Sequence, residues 1–199
     1  MIERRAVRPA PRTIDPRSGE VRAPDLGEYV IGYRVWRVAE DDGLRPLGAG
    51  VDTWDGGREV RAKCAYVEDF RRRTGAIARM RSGRERPSYC WHVSPDPDCD
   101  CGLYAWHAVT AIAARVGEPR VVAGAIAAQG ILEVHAEGFR AELARPVLFA
   151  YDEGAGNRDE VELLGLLHGI PTCDHAQLAE RALEFGRVLP AWLLPIAPA

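Results

Sequence analysis

Residues 121–150, VVAGAIAAQGILEVHAEGFRAELARPVLFA, decide how the rest of the chain is read. Val121 to Val134 and Phe139 to Ala150 are two apolar extended runs, and Ala136-Glu137-Gly138 between them supplies turn residues, so the stretch predicts a β-hairpin. Gly124 and Gly130, inside the first run, mark a bulge or a close backbone approach.

Outward from the hairpin, Leu103 to Val116 reads as a central helix, closed by Gly117 and followed by Pro119. Further upstream, Tyr29 to Val38 is a β-branched and aromatic run ending at the turn Glu40-Asp41-Asp42-Gly43. Leu44 to Val51 and Glu59 to Ala65 flank a second turn, Trp54-Asp55-Gly56-Gly57, and together these pieces make a β-meander. Downstream, Asn157 is placed to cap a helix with Asp159 and Glu160 in its first turn and Val161, Leu163, Leu164 and Leu167 along one side, ended by Gly169. A second helix starts near Asp174 and carries Leu178, Ala182, Leu183 and Phe185 before Gly186. The sequence therefore predicts an α+β fold with an antiparallel β-meander and hairpins, one central helix and a C-terminal helix pair. Three regions are expected: a flexible Arg/Pro-rich arm over 1–27, a metal-stabilised α+β core over 28–151, and a C-terminal helical extension over 152–199.

The 199 residues are 47% hydrophobic and 28% charged, which excludes a collagen-like, coiled-coil or wholly disordered chain. The longest uncharged runs, Cys101 to Ala114 and Val188 to Ala199, fall short of the ~20 apolar residues that span a bilayer. MIERRAVRPAPR has no apolar stretch behind it, so neither a membrane segment nor a secretory signal is expected and a cytoplasmic location is. Net charge is -3, yet the distribution is uneven. Arg71, Arg72, Arg73, Arg79, Arg81, Arg84 and Arg86 form a basic cluster, whereas acid dominates from Asp152 to Glu184.

The chemistry is concentrated in cysteine and histidine. Cys99-Asp100-Cys101-Gly102 is preceded by Cys90 and His92, with Cys64 at the end of the third strand. An odd count of five cysteines in a reducing compartment argues for metal ligands or buried thiols rather than a disulfide framework. Thiolates with an imidazole are what Zn²⁺ prefers, and a Cys-x-Cys-Gly turn aims two sulfurs at one ion. Cys64 and His92 complete the ligand set, with Cys90 as the substitute for either. Such a site clamps residues 66–98, too long a stretch to lie unsupported in a compact domain. Ordinary buried thiols are the plain alternative.

Gly32-Tyr33-Arg34-Val35-Trp36-Arg37, Ala62-Lys63-Cys64, His92 with Cys99-Asp100-Cys101-Gly102-Leu103-Tyr104-Ala105, and Gly138-Phe139-Arg140-Ala141-Glu142-Leu143-Ala144-Arg145-Pro146 together resemble a family of uncharacterised bacterial proteins. In that family a similar Cys, His and Cys-x-Cys-Gly-Ile-Tyr-Ala set precedes a Gly-x-Arg-Ala-Glu segment. The likeness covers roughly residues 29–150, and Leu103 stands where isoleucine is usual. It implies that Cys64, His92, Cys99 and Cys101 form one site, and it carries no established activity.

Two function classes follow. The first is a small zinc-stabilised accessory or binding module that needs no catalytic residue and meets nucleic acid or a protein partner through Arg71, Arg72 and Arg73, with Trp91 as a stacking residue. The second is a zinc-dependent hydrolase, deaminase-like or other, with an open metal position and Glu142 or Glu137 as base. His135-Ala136-Glu137 matches a deaminase His-x-Glu, but it follows the cysteine pair instead of preceding it, which makes His135 a surface histidine. Gly154-Ala155-Gly156 reads as a flexible loop rather than a phosphate cradle. Trp36, Trp54 and Trp106 read as packing residues.

Overall fold

Small side chains let the two long strands of the hairpin lie close together with both faces covered. In a computed structural model, residues 21–23, 28–47, 54–64, 93–97, 99 and 101–195 are described. The hairpin is present as β6 (Val121–Val134) and β7 (Gly138–Tyr151). Val134 faces Phe139 across the turn, and the His135 N–H donates to the Gly138 carbonyl at 2.8 Å. The register shifts twice, between Ala125 and Ile126 and between Gln129 and Leu132. Gly130 sits in the second shift with φ +78°, a left-handed conformation that glycine adopts without strain.

The other strands assemble on this hairpin. β1 (Val21–Ala23) pairs antiparallel with Leu132 to Val134 of β6, so these three residues of the expected flexible arm belong to the sheet; residues 1–20 and 24–27 lie outside the described residues. β2 (Val30–Val38) runs antiparallel to β6 from Val30↔Ala128 to Arg37↔Val121. After the turn, in which Asp42 has φ 57°, β3 (Leu44–Pro46) pairs with β2, and Trp54 bridges to Leu44. β4 (Val60–Arg61) lies on β7. The meander is corrected: β2 and β3 pair in sequence order, but β4 joins β7 instead of β3, and the strands are shorter than the sequence suggests.

The expected helix over Leu103–Val116 is corrected. Leu103–Trp106 is a strand, β5, and only Thr110–Ala113 is helical, as α1. Leu103 and Ala105 are buried while Tyr104 and Trp106 are exposed, a period of two that an apolar tally over the whole stretch hides. The edge of β7 supplies the ladder, with Leu103↔Ala141 through Trp106↔Gly138. Tyr33 of β2 pairs with Trp106, so the pairings β6–β2, β2–β5, β5–β7 and β7–β6 form a ring.

The two faces of the sheet carry two hydrophobic clusters. One gathers Trp36, Trp54, Ile126, Phe139 and Phe149, the other Ile31, Tyr33, Ala125, Leu148 and Leu178. Trp36 packs edge-on against Trp54, with ring centroids 5.7 Å apart, and against Phe149 at 5.8 Å. The C-terminal helix pair is present as α2 (Arg158–His168) and α3 (Leu178–Ala182). Val161 and Leu164 of α2 join the first cluster, and Leu178 and Ala182 of α3 join the second. Asn157 precedes α2 as expected, but its side chain accepts from the Asp152 N–H at 2.8 Å instead of capping the helix. Between the helices, β8 (Thr172–Asp174) lies parallel to the end of β7. No helix among the described residues is long and apolar enough to cross a membrane.

Trp54 is fully buried against Trp36 and lies under the Arg34 guanidinium at 5.0 Å. Trp54→Ala is expected to lower stability by about 3–5 kcal/mol, read from urea unfolding. Cys173 of β8 is buried, and burial pushes its thiol up from 9.0 to about 11. Above pH 9 the unfolded chain loses this proton before the folded chain does, so stability falls as pH rises from about 9 to about 11. Cys173→Ala should flatten that part of the alkaline limb in chemical denaturation measured across pH.

Candidate metal centre

The cluster is carried on the edge of β7 opposite β6, with β4 and β5 laid end to end along it. In one part of this edge, β4 pairs with Leu143 and Ala144, the Ala62 N–H donates to the Glu142 carbonyl at 2.7 Å, and two residues later the chain places Cys64. In the other, the Cys99 N–H closes a turn onto the Asp96 carbonyl at 3.0 Å, and Gly102, at φ +132°, redirects the chain into β5. A side chain at Gly102 would put its Cβ 2.8 Å from that of Arg140, so glycine is required by conformation and by space.

Cys64, Cys99 and Cys101 are buried, and their sulfurs lie within 4.8 Å of one another. Cys64 Sγ and Cys99 Sγ are 3.7 Å apart, well beyond a disulfide bond. Two sulfurs at about 2.3 Å from one tetrahedral zinc stand roughly 3.8 Å apart, so the spacing suits a shared ion. The surroundings suit anionic sulfur as well. The Cys101 N–H donates to the Cys99 sulfur, and the Asp96 N–H lies against the Cys101 sulfur; each favours the thiolate. Burial acts the other way and, with the neighbouring thiols, holds the pKa of Cys99 and Cys101 above the ordinary thiol range. Three buried sulfurs this close together can share one divalent cation, which takes the place of their protons. Cys64, Cys99 and Cys101 can therefore hold a metal ion.

His92, assigned to the same ligand set, lies outside the described residues, as do its substitute Cys90, the neighbouring Trp91, and Arg71, Arg72 and Arg73. Cys173, on β8, is not part of the cluster.

A charged network backs the two cysteines of the turn. Arg140 Nη1 donates to the carbonyl of Cys99, and to that of Cys101 at 3.1 Å. Its Nη2 pairs with Glu133 Oε1 at 2.6 Å, directly across the hairpin, and its Nε donates to His135 Nε2 at 3.3 Å. Sequence reasoning passed over Arg140 and Glu133 because both lie in runs read as apolar. A signal was there: equal steps from the turn put an acid and an arginine opposite each other at 133 and 140. His135, expected as a bland surface histidine, is half-buried and belongs to this network.

The remaining candidates are otherwise engaged. Glu142 pairs with Arg61 and accepts from the Ile131 N–H at 3.2 Å, while Glu137 is exposed in the hairpin turn. At Gly154-Ala155-Gly156 the chain makes a 3₁₀ turn, and the Gly154 N–H donates to the Asp152 carboxylate at 2.8 Å, which occupies the amide a phosphate would need. Trp36 and Trp54 are core residues, whereas Trp106 is partly exposed. No family model, curated protein or solved structure matches the chain.

Gly102→Ala is expected to strain the turn by about 1–3 kcal/mol, the scale of a residue held in a disfavoured backbone region. The melting temperature should fall, and metal retention should fall with it because the Cys101 sulfur is displaced.

Proposed function

We propose that the chain is a zinc-stabilised accessory or binding module of the cytoplasm. The observation that carries this reading is the sulfur geometry: three buried thiols, two of them 3.7 Å apart, with N–H donors turned toward them. Zinc suits a thiolate-rich donor set and a closed tetrahedral site. The free state of Cys64, Cys99, Cys101 and Cys173 supports a reducing compartment.

The sequence offers His92 and Cys90 for the fourth position. Three thiolates and a divalent cation leave one net negative charge with an imidazole and two with a fourth thiolate. The Arg140 cation nearby is already balanced by Glu133. A second excess charge in a buried site is costly, which favours His92. A fourth protein ligand closes the site to substrate, and the engagement of Glu142 by Arg61 and the Ile131 amide removes a carboxylate that an open hydrolytic site would use as base. We therefore prefer the structural role to a hydrolase.

Between Cys64 and Val93 the sequence carries seven arginines against Glu68, Asp69 and Glu85. This basic segment, which includes Arg71, Arg72 and Arg73, is the stretch of sequence we assign to a partner, and its charge suits weak, sequence-independent contact with nucleic acid phosphates. A protein partner is the other form of the same reading. The resemblance to the uncharacterised bacterial family fits a shared Cys-His site without adding an activity.

Elemental analysis of the purified chain should give about one zinc per chain, lost on Cys99→Ser or Cys101→Ser. Chelation should lower the melting temperature of the wild type. A metal-free wild type whose melting is unmoved by chelator would overturn the proposal.

A further inference from the structure

Arg140 and Glu133 are 3% and 2% exposed. A buried ion pair is rarely worth more than the apolar residues that could replace it, and β6 and β7 are already joined by a long ladder. The pair therefore asks for a role other than joining those two strands, and its contacts supply one. The carbonyls that Arg140 holds belong to the peptide units following Cys99 and following Cys101. Fixing those two planes fixes the backbone on the C-terminal side of each cysteine, and so restricts where each sulfur points. The guanidinium is itself held from the other side, by Glu133 at 2.6 Å and by His135 at 3.3 Å, and the Tyr104 ring stands 5.8 Å from it.

We propose that Arg140 is the positioning residue of the metal centre, setting the affinity and geometry with which Cys99 and Cys101 receive the ion, while Glu133 and His135 aim its guanidinium. The inference rests on the metal reading above. It assigns to a buried, non-ligating side chain the part that outer hydrogen-bond partners play at metal sites, where their loss weakens binding by about 10–100-fold.

The test uses the full chain, stripped of metal and titrated with Co²⁺ against a competing chelator, with visible spectra and metal-free melting curves recorded in parallel. Arg140→Gln combined with Glu133→Gln removes both charges and leaves no buried carboxylate unpaired. Arg140→Lys keeps the charge but loses the planar fork. The wild type is expected to give the intense visible bands of tetrahedral, thiolate-bound cobalt. The double variant should bind Co²⁺ about 10–100-fold more weakly and with altered bands, while its metal-free melting stays close to that of the metal-free wild type. Arg140→Lys should recover part of the affinity. Binding by the double variant as tight as the wild type's, with the same spectrum, would overturn the assignment of Arg140 and leave the metal reading standing. A wild type that binds no cobalt through thiolate removes the metal reading itself. Should the double variant fail to melt cooperatively, Arg140→Lys decides on the same two readouts, with unchanged affinity and spectrum counting against the proposal.

Discussion

A guanidinium buried at a hairpin rung is costly unless each of its edges finds a partner, and Arg140 meets that constraint by recruiting three separate pieces of chain. Glu133 comes from the opposite strand, His135 from just before the turn, and the carbonyls of Cys99 and Cys101 from the loop that enters β5. Removing any of them leaves a charged or polar group buried and short of a partner, which costs more than the net worth of the bond. The loop and the hairpin are therefore held to one another by the need to satisfy a single side chain.

The same hairpin organises the apolar side of the molecule. β6 is covered on both faces, which explains why its sequence is an almost unbroken run of small and branched residues rather than an alternating one. Glycine is indispensable where backbones approach closely. At Gly124 a side chain would collide with the backbone of Leu148 on β7, and at Gly138 with that of Ala105 on β5. The tryptophans Trp36 and Trp54 fill one face, and α3 covers part of the other. Residues beyond 151 thus complete cores begun by the strands.

Much of this was legible in the sequence where the signal was local. The hairpin follows from two apolar runs and a short turn, and the first C-terminal helix from its start after Asn157 and its stop at Gly169, whose φ is 66°. Of its expected apolar side, however, only Val161 and Leu164 are buried, while Leu163 and Leu167 are exposed, as is Leu183 at the end of the second helix. Cys64, Cys99 and Cys101 were recognisable as one set from residue chemistry alone, although 34 residues separate the first from the second. What the sequence concealed depends on distant partners. Leu103 to Trp106 has enough apolar residues for either a helix or a strand, and the unfilled edge of β7 decides for the strand. Arg140 looks like a surface charge on an edge until Cys99 and Cys101 fold over it. Asn157 has the identity of a cap, but the Asp152 amide competes for its side chain.

The strand pairing also implies an order of events during folding. Among the described residues, β6 with β7 is the long-strand pairing that closes over a two-residue turn, whereas β2 meets β6 across 90 or so residues and Cys64 meets Cys99 across 34. Short-range closure comes at a lower entropic cost and forms sooner. Both rails that deliver sulfur, β4 and β5, are laid against β7, so the three thiols converge only after the hairpin exists and its outer edge has been used. The three-sulfur set that can hold an ion is therefore complete only once the sheet is, so an ion bound there would be retained by chains that have completed their sheet and released by those that have not.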